Sequence, residues 1–132
     1  MAVKQLEQYP VHLGADASVI AQPAFTGDMA WYEAYGQRHG GDGIAGRLVS
    51  CHTFREPWDS WEMHPSGDEM VFCVSGEITL HQESPSGEIR TVVLHAGDYA
   101  VNPPGVWHTA DVAEPATALF ITIGDGTTHR PR

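Results

Sequence analysis

The side chains in this sequence best suited to chemistry are Glu62, His64, Glu69 and His108. Residues two apart on a strand point to one face, so Glu62 and His64 converge while Met63 between them points away. Pro65-Ser66-Gly67-Asp68 supplies residues that reverse a chain, and Glu69 then opens the apolar run Met70-Val71-Phe72-Cys73-Val74, a buried strand by pattern. Glu69 therefore returns beside the first pair. His108 reaches the same region from a remote strand, after the corner Pro103-Pro104-Gly105, which fits neither a helix nor a central strand. Imidazoles and carboxylates gathered from distant strands are the ligand types that suit Mn, Fe, Ni or Zn.

Positioning these groups requires many short strands. The pattern predicts strands over Ile44 to Phe54, Trp61 to His64, Glu69 to Ser75, Glu77 to Glu83, Glu88 to Leu94, a short piece near Tyr99, Trp107 to Val112 and Thr117 to Ile123. Ser84-Pro85-Ser86-Gly87 and Ala96-Gly97-Asp98 mark the corners between them. Strands this short, punctuated by Gly and Pro, imply an all-β sandwich or closed barrel. Residues 1–43 show few alternating runs and end in Gly40-Gly41-Asp42-Gly43, so they are expected as an irregular extension packing on a barrel formed by residues 44–132. Within the extension, Asp28 can cap a short helix through Met29, Trp31, Tyr32 and Tyr35. The polar tail from Gly124 to Arg132 reads as a frayed terminus, or as a segment folding over the barrel mouth or onto a partner chain.

The spacing of these residues resembles that of the cupins. Their first motif runs Gly, five residues, His-x-His, three or four residues, Glu, six residues, Gly. His64 matches its second histidine, Glu69 its glutamate and Gly76 its closing glycine, while Glu56 stands at the opening glycine and Glu62 at the first histidine. Gly97, Pro103, Gly105 and His108 match the second motif, whose final asparagine is replaced by Val112. The resemblance covers roughly Ile44 to Ile123 and implies a jelly-roll barrel, a double-stranded β-helix, with one divalent metal. It also implies a homodimer, and the apolar and aromatic residues in Met29 to Tyr35 are expected to form part of that contact.

Two carboxylates and two imidazoles would neutralise a divalent ion by protein alone, and this hard set favours Fe or Mn over Ni or Zn. Glu62 is then either a ligand or a base beside a two-histidine, one-carboxylate set. A metal-free barrel would have to bury four converging ionisable groups, which is costly. His52 lies on a strand lining the barrel and is a candidate proton carrier. Arg47 or Arg55 could hold a substrate carboxylate, and the phenol of Tyr99 could point into the cavity. The expected activity is that of a metal-dependent dioxygenase or an isomerase or lyase acting on a small molecule, the alternative being a binding or sensing protein without turnover.

Composition narrows the partners. The chain has 132 residues, right for one domain, and carries 7 Lys plus Arg against 17 Asp plus Glu, a formal net charge of −10. That balance argues against nucleic acid and anionic membrane surfaces. The N-terminus lacks the apolar stretch of a signal peptide and no run is long enough to span a bilayer, so a cytoplasmic protein is expected. Cys51 and Cys73 are too few for a disulfide framework and read as small core residues.

Overall fold

In the computed structural model, which describes residues 2–132, two antiparallel sheets face each other and share one interior. The strands are β1 (Val11–Leu13), β2 (Val19–Ala21), β3 (Arg47–Phe54), β4 (Ser60–Met63), β5 (Glu69–Ser75), β6 (Glu77–Glu83), β7 (Ile89–His95), β8 (Tyr99–Asn102), β9 (Trp107–Asp111), β10 (Ala116–Thr122) and β11 (Thr128–Pro131). One sheet runs β2-β1-β3-β10-β5-β8 and the other β11-β4-β9-β6-β7. Consecutive strands often lie in different sheets, the crossing pattern of a jelly roll.

Period-two alternation sorts the side chains. On β10, Ala116, Ala118 and Phe120 are buried, and their cross-strand partners on β3 are Phe54, His52 and Ser50. Because directly paired residues share a face, those β3 side chains point inward and Arg47, Val49, Cys51 and Thr53 point outward. The apolar core combines Val71 and Cys73 of β5 with Ile78, Leu94 and Ala110 of the opposite sheet and the β10 row, and Phe54 and Trp58 pack against it. Both cysteines are buried free thiols, Cys73 within this core.

The N-terminal residues hold more regular structure than their sequence suggests. β1 and β2 form a hairpin whose β1 pairs with β3, extending the first sheet. Helix α1 (Met29–His39) starts where expected, with the Asp28 carboxylate accepting from the Trp31 amide at 3.0 Å. It runs one turn beyond Tyr35 because that turn is tied down: buried His12 of β1 contacts the Tyr35 hydroxyl and the Asp42 carboxylate, each at 2.6 Å, and stacks on His39. Asp42 sits in a 3-10 segment, Gly40–Ala45, where a simple linker was expected. Among the described residues, no helix is long and apolar enough to cross a membrane.

Candidate metal centre

Three strands and one turn bring the four candidate ligands to one polar layer. Glu62 on β4 is directly opposite His108 on β9, so both enter the interior at the same level. His64, two residues after Glu62 and just past the end of β4, shares its face. Glu69, the first residue of β5, faces them from the other sheet. One donor atom from each of the four lies within 4.8 Å of the others. His64, Glu69 and His108 are buried, whereas the Glu62 side chain remains 27% exposed.

Donor spacing supplies a test of whether a metal fits. His64 Nε2 lies 2.9 Å from Glu62 Oε1 and 3.0 Å from Glu69 Oε2, and His108 Nε2 lies 3.2 Å from Glu69 Oε1. Yet both Nε2 atoms are buried without a hydrogen bond of acceptable angle. Nitrogens this close to carboxylate oxygens but not aimed at them are what donors converging on a common centre produce. With metal–ligand bonds of about 2.1 Å, neighbouring donors around an octahedral ion stand about 3 Å apart, and around a tetrahedral one about 3.4 Å. The observed spacings lie near these values, so the four residues fit a divalent metal ion.

Electrostatics of the metal-free cluster show how tightly these groups are coupled. Burial pushes the His64 imidazolium down, but the Glu62 and Glu69 carboxylates override that and hold its pKa at about 9. Burial alone would raise Glu69, yet His108 and His64 pull it well below the usual carboxylate range. Glu62 is likewise lowered against its burial, chiefly by His64.

Around the four lies a shell of neutral polar residues without an individual sequence signature. Asn102 donates to Glu69 Oε1 at 3.0 Å and Thr122 to Glu69 Oε2 at 2.7 Å, so each carboxylate oxygen has a fixed donor. Gln82 donates to Asn102 Oδ1 at 2.7 Å and sits opposite His108 on β6. Beyond the ligands, Trp58 stacks edge-on to His108 at 6.0 Å and continues to Phe54 and Phe120. His52 joins this wall through Phe120 and Phe25, and burial lowers its pKa so that it is a neutral imidazole near neutral pH. Tyr32 of α1 packs on Phe25, and its hydroxyl is raised to about 12 by burial, with Glu62 and Glu69 adding to the effect.

The candidates expected to hold a substrate lie apart from this cluster. Arg47 points outward at the start of β3, opposite Leu13, and Arg55 is exposed just past that strand. Tyr99 is 63% exposed, because β8 turns Ala100 and Asn102 inward and its odd-numbered residues outward. Asn102, three residues on, is what β8 delivers to the site. A surface depression of about 310 Å³ lined by Glu77, Thr79 and Asp111 through Glu114 involves none of the ligand residues.

Comparison with known proteins agrees with this fold. A double-stranded β-helix protein from Klebsiella pneumoniae is 24% identical, with a TM-score of 0.54 over 65% of this chain and 76% of its own. Hydroquinone 1,2-dioxygenase from a Sphingomonas species is 18% identical, with a TM-score of 0.52 over 58% of this chain and 59% of its own. Oxalate decarboxylase from Lactobacillus farciminis is 20% identical, with a TM-score of 0.52 over 57% of this chain and 23% of its own. This chain thus spans less than two thirds of the length of either enzyme, and the likeness is one of fold. No curated protein matches the sequence. The family model of the cupin domain, however, matches residues 55–124, a stretch that begins just before β4, ends just after β10 and contains all four converging side chains. More than half of the sequence carries that signature on a jelly-roll frame, and the chain belongs to the cupin family.

Proposed function

We propose that this protein is a metal-dependent enzyme in which Glu62, His64, Glu69 and His108 hold one Fe(II) or Mn(II) ion, and that it oxidises a small molecule with dioxygen. The observation that carries the reading is the pair of buried, unpartnered imidazole nitrogens 2.9 to 3.2 Å from the oxygens of two carboxylates. Held by these four residues, an ion of this type would supply Lewis acidity and, as Fe(II), a path for dioxygen chemistry.

The surrounding residues support a substrate class. Among the described residues, no lysine or arginine pairs with Glu62 or Glu69, and Arg38, Arg130, Arg132 and Lys4 instead engage Gln22, Glu83, Asp111 and the face of Tyr9. With a divalent ion between them, the two carboxylates leave the site no net positive charge to favour a multiply charged anion. The wall of Phe54, Trp58 and Phe120 beside His108 favours a flat apolar body. The fitting substrate is therefore a small aromatic or unsaturated compound with a neutral or singly ionisable hydroxyl. Neutral His52 on the wall is the proton carrier, and Glu62, the one ligand residue reached by solvent, would take the proton of that hydroxyl only as a base in place of a ligand.

Metal analysis of protein purified without a histidine tag, followed by oxygen uptake with the Fe(II)- and Mn(II)-loaded forms against a panel of phenols and enols, tests the proposal. Stoichiometric metal and substrate-dependent oxygen uptake are expected. Metal-dependent conversion without oxygen uptake would assign an isomerase or lyase instead. Ligand binding without conversion would assign a sensing or storage protein.

A further inference from the structure

The last strand, β11, belongs to the metal centre. Its sequence, Thr128 to Pro131 after Gly124-Asp125-Gly126-Thr127, is short, polar and ends in proline, with none of the marks of a core strand. In the fold it pairs along the whole of β4, with Thr128 opposite Met63, His129 opposite Glu62 and Pro131 opposite Ser60. The turn before it is fixed to the loop after β4, where Ser66 Oγ donates to the Asp125 carbonyl at 2.9 Å. On the outer face, Arg130 stacks over Trp107 and Trp61 and pairs with Glu83, and Arg132 bonds Asp111 at 2.7 Å. An edge strand with this many anchors is held in place.

Two side chains, Thr127 of the turn before β11 and His129 within it, reach His64 just past the end of β4 and Glu62 on it. Thr127 Oγ1 gives its proton to the Gly124 carbonyl at 2.8 Å, so toward His64 Nδ1, 2.8 Å away, it can only accept. That contact places a proton on Nδ1 and leaves Nε2, which lies beside Glu62 and Glu69, as the nitrogen that would offer its lone pair to an ion. His129 Nε2 lies 3.4 Å from Glu62 Oε2, the oxygen that does not face His64. Cross-strand pairing puts His129, Glu62 and His108 in one row across three strands, so β11 extends the ligand row by one imidazole.

We propose that β11 and the turn before it form a strap that orients the two ligands at the end of β4, Thr127 by fixing the tautomer of His64 and His129 by restraining the outer oxygen of Glu62 so that the inner one serves the ion. Both are positioning residues, and the inference rests on the metal-site reading above. Loss of either contact frees a ligand side chain to rotate, and losses of this kind weaken metal affinity by about 10–100-fold.

The test uses the full chain, stripped of metal by chelator and titrated with Co(II) in competition with a chromophoric chelator, reading both affinity and the visible Co(II) spectrum. Thr127→Val is expected to bind Co(II) about 10–100-fold more weakly with a shifted spectrum, and Thr127→Ser, which keeps the hydroxyl, to recover both. His129→Ala is expected to weaken binding as well, and His129→Gln, which keeps a donor near the Nε2 position, to recover it. Melting of the metal-free variants within a few degrees of wild type separates a local effect from misfolding. Wild type that binds no Co(II) overturns the metal site itself. Wild type that binds while Thr127→Val and His129→Ala bind equally well overturns the strap alone. Equal loss in His129→Gln and His129→Ala overturns the positioning role of His129 and makes it a direct ligand.

Discussion

Substituting His108 by alanine isolates the metal's contribution to stability, because this imidazole is fully buried and neither of its nitrogens has a hydrogen-bond partner. In the metal-free protein its removal deletes ring contact with Trp58 and one partner of Glu69, whose oxygens keep Asn102 and Thr122 as donors. In the loaded protein it deletes one of four ligands. A ligand bound at 100 times its Kd stabilises the folded state by about 2.7 kcal/mol. A domain of 132 residues has an unfolding entropy of about 0.28 kcal/mol/K near its midpoint, so the melting temperature should rise by about 10 °C. Removal of a direct ligand should cost more than the roughly 100-fold assigned to outer contacts. At the same Mn(II) concentration the variant is then at or below its Kd, gains at most about 0.4 kcal/mol and shifts by no more than about 1.5 °C. Differential scanning calorimetry with and without Mn(II) reads both numbers. A shift in His108→Ala equal to that of wild type would refute the placement of the ion among these four side chains, whatever the variant's absolute stability.

Three other outcomes are expected. His64 titrates at about 9 in the metal-free fold against an ordinary 6.5, so its stabilisation is complete below pH of about 6.5 and lost as pH rises through about 9. Glu69, lowered from 4.5, stabilises above about that pH and loses its effect as pH falls. Melts of chelator-treated protein should therefore peak between about pH 4.5 and 6.5 and decline toward 9. Metal binding instead requires the His64 Nε2 proton to leave, so the metal-induced shift should grow across the same alkaline range, and a shift independent of pH would contradict the assignment. Asn102→Ala removes a donor from Glu69 and an acceptor from Gln82, and should weaken Mn(II) binding by about 10–100-fold in calorimetric titration, an unchanged affinity counting against the network. Gly76 has φ +79°, and an added Cβ would lie 2.8 Å from the Pro115 carbonyl oxygen, so Gly76→Ala should cost at least about 2 kcal/mol in chemical denaturation. Gly105, with φ +80° but open space around it, should lose only about 1 kcal/mol, and equal costs at the two positions would contradict the steric argument.

The legible parts of this molecule are those governed by short-range periodicity. β5 and β6 fall where the apolar alternation puts them, and Glu62 and His64 share a face because they are two apart. Asp28 announced the start of α1 through its capping chemistry. What escaped the sequence is set by register between distant strands. Tyr99 and Asn102 are both plausible site residues on the same four-residue strand, and only pairing of β8 with β5, Asn102 against Glu69, decides that the amide faces in and the phenol out. Thr122 and Gln82 are ordinary strand polars until β10 and β6 align them with the cluster. The β1–β2 hairpin was hidden for another reason, since three residues per strand are too few to show alternation.

Replacement of a motif histidine by Glu62 has a physical consequence that joins the site to the rest of the fold. A second carboxylate beside Glu69 would be hard to bury in a metal-free chain, since like charges at this range resist joint ionisation. Here the metal-free cluster compensates by keeping a proton on His64 to about pH 9, so one imidazolium stands between the two acids at 2.9 and 3.0 Å. A divalent ion entering the cluster would displace that proton from the same Nε2 atom while the Thr127 contact keeps the other on Nδ1. Proton and metal then compete for one lone pair whose direction is already set. The protein can fold before loading with one of the two carboxylate charges compensated by the imidazolium, and loading becomes an exchange of cations within a prearranged site rather than the assembly of one.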